Sequence, residues 1–266
     1  MTCKTDMHLH TYYSDGVFSP AEIVRRAKDL GYSLVSITDH DGTDGLHEAI
    51  TAAEELGGIK VIPGIELSAQ EEFIDSKTSV HILGYGIDQD NGDLVKALVR
   101  IRANRDERNE KLVAALKLMG YDIDIAELRS KIGGYTGKPD IARLLLKKGY
   151  IRSADEAFRP GMILESPEIK AIKKEKPDAK HAIGLIVNSG GTAVLAHPVK
   201  IKRIGERGSL EFYDNLERLI VRLTGYGLKG IECYHTEHSE KEALKLVELA
   251  EKYNLQITEG SDYHGD

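Results

Sequence analysis

The chain has 266 residues, of which 41% are hydrophobic and 30% charged, and its formal net charge is −7. This length suits one large domain or a domain with an insertion, and no run approaches the roughly 18 apolar residues of a membrane span. The acidic balance argues against binding of long duplex nucleic acid, whereas a small anionic substrate is compatible with bound cations. No signal peptide is visible, and Cys3 and Cys233 form no close-spaced motif, so we expect a reduced, cytoplasmic protein.

Strand and helix patterns alternate over about the first 90 residues. Ser19-Pro20-Ala21-Glu22 has the form of a capping box with proline at the first helical position, and it predicts a helix over residues 20–30. A second helix is predicted over 46–56, where Gly57-Gly58 ends it. The predicted strands of this segment are 4–9, 34–38, 61–67 and 80–85.

The alternation breaks between residues 93 and 176, where no strand pattern is found. Leu94, Leu98 and Ile101 recur at helical spacing in a long charged segment, which predicts a helix over 94–119. Another helix is predicted over 139–148, and the lysine-rich segment 165–176 is predicted to be a surface loop or short helix. We therefore expect a helical subdomain, residues 93–176, inserted between two segments, 1–92 and 177–266, of a larger domain.

The alternation resumes in the last third of the chain. Helices are predicted over 179–188, 210–225 and 240–253, and strands over 192–196, 230–234 and 255–259. Seven such β/α units predict an α/β barrel of parallel strands. In barrels of this kind the reactive side chains cluster where the strands end.

Nine side chains suited to divalent metal lie at these predicted strand ends. They span almost the whole sequence, so only a closed fold would bring them together. The pattern predicts a polynuclear metal centre, and therefore hydrolytic chemistry. The nine residues are His8, His10, Asp15, His40, Glu66, His81, His197, Asp262 and His264.

Some fragments carry further geometric support. His8 and His10 are two apart in a predicted strand, so both imidazoles point to the same face. Asp262 and His264 repeat that spacing at the end of the last strand. Glu66 could bridge two metals through its two oxygens.

Taken singly, the fragments also have interpretations without a metal. Asp15 lies in Ser-Asp-Gly, which favours a turn, and His81 is flanked by apolar residues as a core histidine would be. A single strand-end glutamate such as Glu66 is commonly solvated. Asp39 could orient an imidazole from behind. The histidines outside the set are His47, His181, His235 and His238. His235 and His238 follow the predicted strand 230–234 and could approach the site, but we interpret them as histidines of a surface loop.

Taken in order, the motifs resemble those of the PHP (polymerase and histidinol phosphatase) family of metal-dependent phosphoesterases. The family fold is a distorted seven-stranded β/α barrel, in agreement with the strand count. The matching motifs are His8-Leu9-His10, Ser14-Asp15-Gly16, Thr38-Asp39-His40, Pro63-Gly64-Ile65-Glu66, His81-Ile82-Leu83-Gly84-Tyr85, Ala196-His197-Pro198 and Ser261-Asp262-Tyr263-His264.

The resemblance implies a cofactor of two or three divalent ions, with Mn, Fe and Zn as the candidates. One ion would be held by His8, His10, Glu66 and Asp262. A second would be held by Glu66, His81 and His197, with Glu66 as the bridge. A third would be held by Asp15, His40 and His264.

The insertion is similar to that of bacterial nucleotide phosphatases and short-RNA 5′-exonucleases, in which it caps the metals and supplies phosphate contacts. Lys138-Pro139-Asp140 stands where the family segment normally carries Arg-Pro-His, and lysine binds phosphate as a point charge without the bidentate fork. The resemblance favours Lys138 and Arg143 as phosphate contacts, with Tyr13 at the pocket edge. Further cationic candidates in the insertion are Arg102, Arg105, Arg108 and Arg159.

The expected function is a phosphoesterase. The substrate would be a nucleotide, such as a nucleoside 3′,5′-bisphosphate or an AMP-like compound, or a short oligonucleotide, attacked by metal-bound hydroxide. His197, His264 or Asp15 could position the phosphate or protonate the leaving oxygen. One alternative is a histidinol phosphate phosphatase, against which the long insertion argues. Another is a non-catalytic metal-binding regulatory module, which would be expected to have lost ligands.

The end of the sequence bears on the same site. The chain stops at Asp266, two residues after His264. A barrel strand is normally followed by covering structure. We therefore expect either a truncated chain or a free end beside the metals.

Overall fold

The computed structural model describes residues 4–130, 135–173 and 175–265, which contain one seven-stranded sheet with its strands in chain order. Leu9 forms a parallel bridge to Tyr263, so the last strand returns to the first and the sheet nearly closes. The predicted α/β barrel is therefore confirmed. The strands are β1 (Thr5–Leu9), β2 (Leu34–Ile37), β3 (Lys60–Phe73), β4 (Ser76–Tyr85), β5 (Thr192–Leu195), β6 (Gly230–His235) and β7 (Gln256–Gly260).

Helices cover the outside of the barrel and build the insertion. Ser19 and Glu22 form the predicted capping box. The helices predicted over 46–56 and 179–188 have the predicted bounds. Among the described helices, none combines the length and apolarity needed to cross a bilayer. The helices are α1 (Pro20–Asp29), α2 (Leu46–Leu56), α3 (Gly92–Leu118), α4 (Ile125–Arg129), α5 (Lys138–Lys147), α6 (Pro167–Ala171), α7 (Ala179–Asn188), α8 (Leu210–Tyr226) and α9 (Glu240–Lys252).

The prediction of seven parallel β/α units was wrong at the third and fourth strands. β3 and β4 form an antiparallel hairpin, paired from Gly64 opposite Tyr85 to Phe73 opposite Ser76, and β4 is also antiparallel to β5. Antiparallel strands can be joined by a tight turn, whereas a parallel pair needs a crossover of about a dozen residues or more. Here both strands extend beyond their predicted ends, which leaves only Ile74 and Asp75 for the connection.

The insertion has a hydrophobic core of its own. Leu112 and Leu116 of α3 lie in that core, whereas Leu94 and Leu98 of the same helix lie in the barrel core. α3 thus connects the two cores. Ile169, in the segment expected at the surface, lies on short helix α6 and is buried in the insertion's core. Cys3 and Asp266, on which two of the predictions depend, lie outside the described residues.

Candidate metal centre

The structure brings four ligand atoms from three parts of the barrel into one cage. His8 Nε2 lies 3.3 Å from both Glu66 Oε2 and Asp262 Oδ1. His10 Nε2 lies 3.4 Å from the same Glu66 oxygen and 3.1 Å from the same Asp262 oxygen. Ligands bound tetrahedrally at about 2.1 Å from a metal are about 3.4 Å apart. The cage therefore has the dimensions of a divalent metal site.

Several atoms of this centre are buried without a hydrogen bond to any described residue. They are His8 Nε2, His10 Nε2, Asp15 Oδ1, His40 Nδ1 and Glu66 Oε2. Buried polar atoms are rarely left without a partner. Imidazole nitrogen and carboxylate oxygen are ligands that suit Zn, Fe and Mn. The residues present thus fit divalent metal ions.

Glu66 stands at the middle of the centre. Its Oε1 lies 2.9 Å from His81 Nδ1 and 3.0 Å from His197 Nε2, while its Oε2 faces the first cage. His40 Nδ1 is also 2.9 Å from Oε2. The two oxygens therefore face different sets of imidazoles, which is the arrangement a bridging carboxylate requires.

A further group surrounds Asp15. Its Oδ1 lies 3.1 Å from His264 Nε2, and its Oδ2 lies 3.8 Å from His40 Nε2. His10 belongs to this group as well as to the first cage, and His40 also groups with Glu66 and His81. All nine predicted residues are thus brought together, in groups that overlap more than the three implied sets do.

The positions of Glu66 and His81 differ from the strand-end prediction. Both lie inside the β3–β4 hairpin, where Glu66 pairs with Leu83 and Ser68 pairs with His81. Because β3 continues past the rim of the barrel, the middle of the hairpin lines the opening. Strand ends and the loops after them supply the other seven residues.

Electrostatics keep the carboxylates in the charged form that binds metal. Burial tends to raise the pKa of Glu66, yet nearby imidazoles, His40 foremost, hold that pKa well below its usual value. Burial tends to raise the pKa of Asp262 as well, but the neighbouring imidazoles of His10, His235 and His8 lower it. Burial lowers the pKa of His81 to about 4, so this imidazole is neutral at pH 7 and has a lone pair to offer.

Three side chains at the centre were missed. The prediction that His235 lies on a surface loop was wrong: it ends β6, its side chain is buried, and its Nε2 lies 3.3 Å from Asp262 Oδ2. Glu232 is fully buried and contacts His8 Nδ1 at 2.8 Å. Lys200 Nζ lies 2.9 Å from Asp262 Oδ2. Two sequence signals could have indicated these residues: His235 lies at the end of a strand, and Glu232 is a charged residue inside an apolar strand.

Asp39 lies behind the imidazole of His10 and contacts it indirectly. Its carboxylate accepts hydrogen bonds from the backbone N–H and hydroxyl of Thr11, at 2.7 and 2.6 Å, and from the Ser14 hydroxyl at 2.5 Å. Ser14 Oγ in turn lies 3.3 Å from His10 Nδ1. Asp39 therefore holds the loop after β1 and reaches an imidazole only through Ser14. His47 and His181, which were predicted to lie outside the set of metal ligands, are exposed on α2 and α7.

The two favoured cations lie in different surroundings. Arg143 donates to Asp140 Oδ1 and to the backbone carbonyl of Asp15, both at 3.1 Å, which anchors it at the mouth of the centre. Lys138 is half-buried and donates to the carbonyl of Leu164 at 3.2 Å. The aspartate that replaces the family's histidine is therefore the partner of Arg143.

The remaining candidates have other environments. Arg105 is buried, pairs with Asp41 at 2.6 Å and lies over the Tyr135 ring at 3.8 Å. Arg108 is half-buried, and its Nε makes no hydrogen bond to a described residue. The Tyr13 ring lies 4.8 Å from the ring of the preceding tyrosine. The exposed candidates are Arg102 and Arg159.

A cavity of about 460 Å³ opens over the centre. Its walls include the imidazoles of His40, His81 and His197, with Lys200 and Lys202 at the edge. Ligand pockets typically measure about 300–1,000 Å³. The centre is thus accessible to a molecule of nucleotide size.

Several sequence relatives align with this chain over almost its full length. It is 33% identical to the phosphoribosyl 1,2-cyclic phosphate 1,2-diphosphodiesterase of Eggerthella lenta, over 98% of this chain and 94% of that one. It is 31% identical to the 3′,5′-nucleoside bisphosphate phosphatase of Chromobacterium violaceum, over 97% and 86%. It is 30% identical to a 5′-3′ exoribonuclease of Haemophilus influenzae, over 99% and 91%.

Two solved structures are similar to this chain over almost its full length. A sulfate-bound, metal-free amidohydrolase from Chromobacterium violaceum has a TM-score of 0.84 at 30% identity, covering 98% of this chain and 87% of that one. A metal-dependent phosphoesterase from Bifidobacterium adolescentis has a TM-score of 0.83 at 29% identity, covering 100% and 89%. The PHP domain family model matches residues 6–225. With this match, the barrel and the imidazole–carboxylate centre, the chain belongs to the PHP family and is a metal-dependent phosphoesterase.

Proposed function

We propose that this phosphoesterase hydrolyses a phosphate ester of a small nucleotide-type substrate, either a nucleoside 3′,5′-bisphosphate or a short oligonucleotide. The observation that carries the proposal is the nine-residue centre at the base of a cavity of about 460 Å³. Relatives named for a nucleoside bisphosphate and for RNA support this substrate class. The cavity suits one nucleotide unit at a time.

We propose two or three divalent ions in this centre. His8, His10, Glu66 and Asp262 would hold the first ion. Glu66, His81 and His197 would hold the second. Asp15, His40 and His264 would hold the third. When bound, such ions lower the pKa of a coordinated water and neutralise phosphoryl charge. Mn, Fe and Zn all suit this ligand set.

Two cations near the centre, Lys200 and Arg143, are proposed to orient the substrate. Lys200, next to Asp262, would contact an oxygen of the phosphoryl group that is cleaved. Arg143, held by Asp140 and by the Asp15 carbonyl, would contact the distal part of the substrate. Contacts that strengthen as charge develops would lower the barrier, whereas contacts to the distal part would mainly lower KM.

We also propose Lys138 and Tyr13 as substrate contacts, although their present contacts support this role less than those of Arg143 do. Lys138 is turned toward the Leu164 carbonyl, and Tyr13 packs against the preceding tyrosine. Arg108 is the better supported partner for an additional phosphate, because the Nε of its half-buried side chain makes no hydrogen bond to a described residue. A donor shielded from water and without an acceptor favours an anionic ligand.

A substrate panel tests the proposal. Chelator-stripped protein would be reloaded with Mn, Fe or Zn and assayed on a nucleoside 3′,5′-bisphosphate, AMP, 5′-phosphorylated oligoribonucleotides and histidinol phosphate. We expect the highest kcat/KM on the bisphosphate or the oligoribonucleotides. A preference for histidinol phosphate would contradict the substrate class. Absence of turnover on every compound, with metal bound, would contradict catalysis of this kind.

One further substrate belongs in the panel. The relative from Eggerthella lenta, at 33% identity, is named for a phosphoribosyl 1,2-cyclic phosphate. A five-membered cyclic phosphodiester also fits a cavity of about 460 Å³. Preferential hydrolysis of that compound would make cyclic phosphodiester cleavage the main activity.

A further inference from the structure

β6 carries two buried side chains that face the metal centre but are not among the proposed ligands. Glu232 lies in the middle of the strand and His235 at its end, and both are buried. Neither is used in the hydrolysis proposed above. Their contacts run to ligands that come from other strands.

Glu232 uses one oxygen to set the form of His8. Its Oε1 lies 2.8 Å from His8 Nδ1, and both side chains are fully buried. A carboxylate only accepts hydrogen bonds, so His8 Nδ1 must carry the proton. In the neutral imidazole the lone pair is then on Nε2, the atom that faces the cage. The Glu232 contact therefore selects the tautomer that a metal needs.

The other oxygen of Glu232 holds a second ligand-bearing segment. Oε2 accepts a hydrogen bond from the backbone N–H of His197 at 2.7 Å. His197 has a φ of 28°, in the left-handed region that a residue with a side chain seldom adopts. This contact helps to fix the strained backbone from which the His197 ring reaches Glu66.

His235 makes the equivalent contact to Asp262. Its Nδ1 accepts a hydrogen bond from the backbone N–H of Glu237 at 2.9 Å, so the proton of the neutral ring is on Nε2. That Nε2 lies 3.3 Å from Asp262 Oδ2. The donor on Oδ2 leaves Oδ1 toward His8 and His10, as the first cage requires.

Gly260 shows how closely these strands approach. A Cβ at this position on β7 would lie 2.3 Å from the His8 Cβ and 2.7 Å from Glu232 Oε1. Only a residue without a side chain allows β1, β6 and β7 to meet here. The backbone of β7 at Gly260 therefore packs against both His8 and Glu232 and limits how far either side chain can move.

We propose that Glu232 and His235 are positioning residues that set the metal affinity of the centre without touching the metal. Glu232 keeps the lone pair of His8 on Nε2, and His235 keeps Oδ1 of Asp262 in the cage. The inference rests on the metal assignment proposed above. Hydrogen-bond partners behind metal ligands typically change metal affinity about 10–100-fold when they are removed.

Glu232→Gln tests the first half. The amide oxygen of glutamine can accept from only one of the two donors, and its NH₂ group must face the other. If NH₂ faces His8 Nδ1, the ring proton moves to Nε2 and blocks the cage. We expect the affinity of the chelator-stripped protein for Zn²⁺ to fall about 10–100-fold at one site, measured by calorimetric titration. In metal-free protein, at a pH high enough for the His8 ring to be neutral, its ¹⁵N shifts should report the change of tautomer.

His235→Phe tests the second half, and the chain offers matched controls. His238 lies beside His235, with ring centroids 4.9 Å apart, but its Nδ1 contacts the Cys233 carbonyl and no proposed ligand. His238→Phe should leave Zn²⁺ affinity unchanged, whereas His235→Phe should lower it. Glu242→Gln, at a buried glutamate that pairs with Arg207, is the control for Glu232→Gln.

The outcomes separate this inference from the proposed substrate. Lower Zn²⁺ affinity in the β6 variants and unchanged affinity in both controls would support the inference, whichever substrate the enzyme prefers. Wild-type affinity and an unchanged His8 tautomer in Glu232→Gln would overturn it for Glu232. Equal losses in the β6 variants and the controls would also overturn it, because general destabilisation would then explain the effect. Substrate preference is read only from the panel of wild-type assays.

Discussion

The two oxygens of Glu66 give one side chain contacts with five imidazoles, those of His8, His10, His40, His81 and His197. No other carboxylate among the described residues faces so many. A group shared by two proposed metal positions should be the least replaceable part of the centre.

Glu66→Gln should lower kcat by at least about 10²–10³-fold, the scale for loss of one group that stabilises developing charge. The amide keeps the size of the side chain but removes its charge and turns an NH₂ group toward an imidazole. Metal content, measured by mass spectrometry of the purified protein, should fall by at least one ion per chain. Glu72→Gln, an exposed position on the same strand, is the control. Wild-type kcat in Glu66→Gln would contradict the bridging role.

Lys200 is the proposed contact to the phosphoryl group. Its Nζ contacts both Asp262 Oδ2 and Glu237 Oε1, at 2.9 and 2.6 Å. Lys200→Met keeps the aliphatic chain and removes the charge. We expect kcat to fall about 10²-fold or more, because one cation facing the phosphoryl group is lost. Metal content should not change. Lys202→Met, at the edge of the same cavity, should have the smaller effect, and the opposite ranking would exclude Lys200 as the phosphoryl contact.

The strands around the centre approach one another closely, and Gly260 of β7 lies at one of the tightest contacts. An added Cβ would meet the His8 Cβ at 2.3 Å and the His8 backbone nitrogen at 3.0 Å. Gly260→Ala should therefore lower the free energy of unfolding by about 1–3 kcal/mol, the usual cost of overpacking, and weaken metal binding. Urea denaturation and metal titration would measure the two effects.

The matched control is Gly225→Ala in α8, where an added Cβ meets nothing within 4 Å. Alanine in a helix is favoured over glycine by about 1 kcal/mol, so this variant should be slightly more stable. Loss of stability in both variants would show that the effect is not specific to the contact between β1 and β7.

The start of α9 contains a charge pair that makes stability depend on pH. Glu242 is the third residue of α9 and completes the capping box begun by Ser239, and it pairs with Arg207. The hydrogen bond from Arg207 is the main reason that the pKa of Glu242 is lowered from 4.5 to about 2. A carboxylate with a lowered pKa stabilises the fold above its unfolded pKa, and this contribution is lost as pH falls through the folded pKa.

Glu242→Gln should therefore be less stable than the wild type at pH 7, and the difference should shrink between about pH 4.5 and pH 2. The size at pH 7 should be at most about 1–2 kcal/mol, because Arg207 is largely exposed to solvent. Urea unfolding at several pH values would measure it. A difference that stays constant over this range would mean that the pair does not act through the charge of Glu242.

The proposed metal centre lies where the barrel nearly closes, beside the bridge between Leu9 and Tyr263. The nine residues come from both ends of the chain, from His8 to His264, and from the hairpin between them. Removal of bound metal should therefore loosen the closure between β1 and β7. A ligand present at about 100 times its Kd stabilises the state that binds it by about 2.7 kcal/mol.

Chelation should lower Tm in calorimetry, and the purified protein should contain at least two ions per chain. The same treatment should change the Tm of Glu66→Gln by a smaller amount, because less metal is bound to begin with. Fewer than two ions per wild-type chain after reloading would contradict a polynuclear centre.

Much of this architecture could be predicted from local patterns. Ser19 and Glu22 predict the start of α1, because a capping box needs particular side chains at fixed spacing. The nine candidate residues could be identified because imidazoles and carboxylates that follow apolar strands have few structural uses. The β3–β4 hairpin was mispredicted because the extra strand residues alternate weakly. The predicted strands therefore left a connection of about a dozen residues, a length that is compatible with either strand direction.

The residue types and their spacing along the chain were sufficient to predict an α/β barrel and the nine metal-type side chains, because each of these has a local physical signature. The folded chain was needed for the rest. His8 and Glu232 are 224 positions apart, and Asp39 turns toward Thr11 and Ser14 from another strand. Partners of this kind are chosen by which strands lie side by side and how closely they pack, and no local sequence pattern records that.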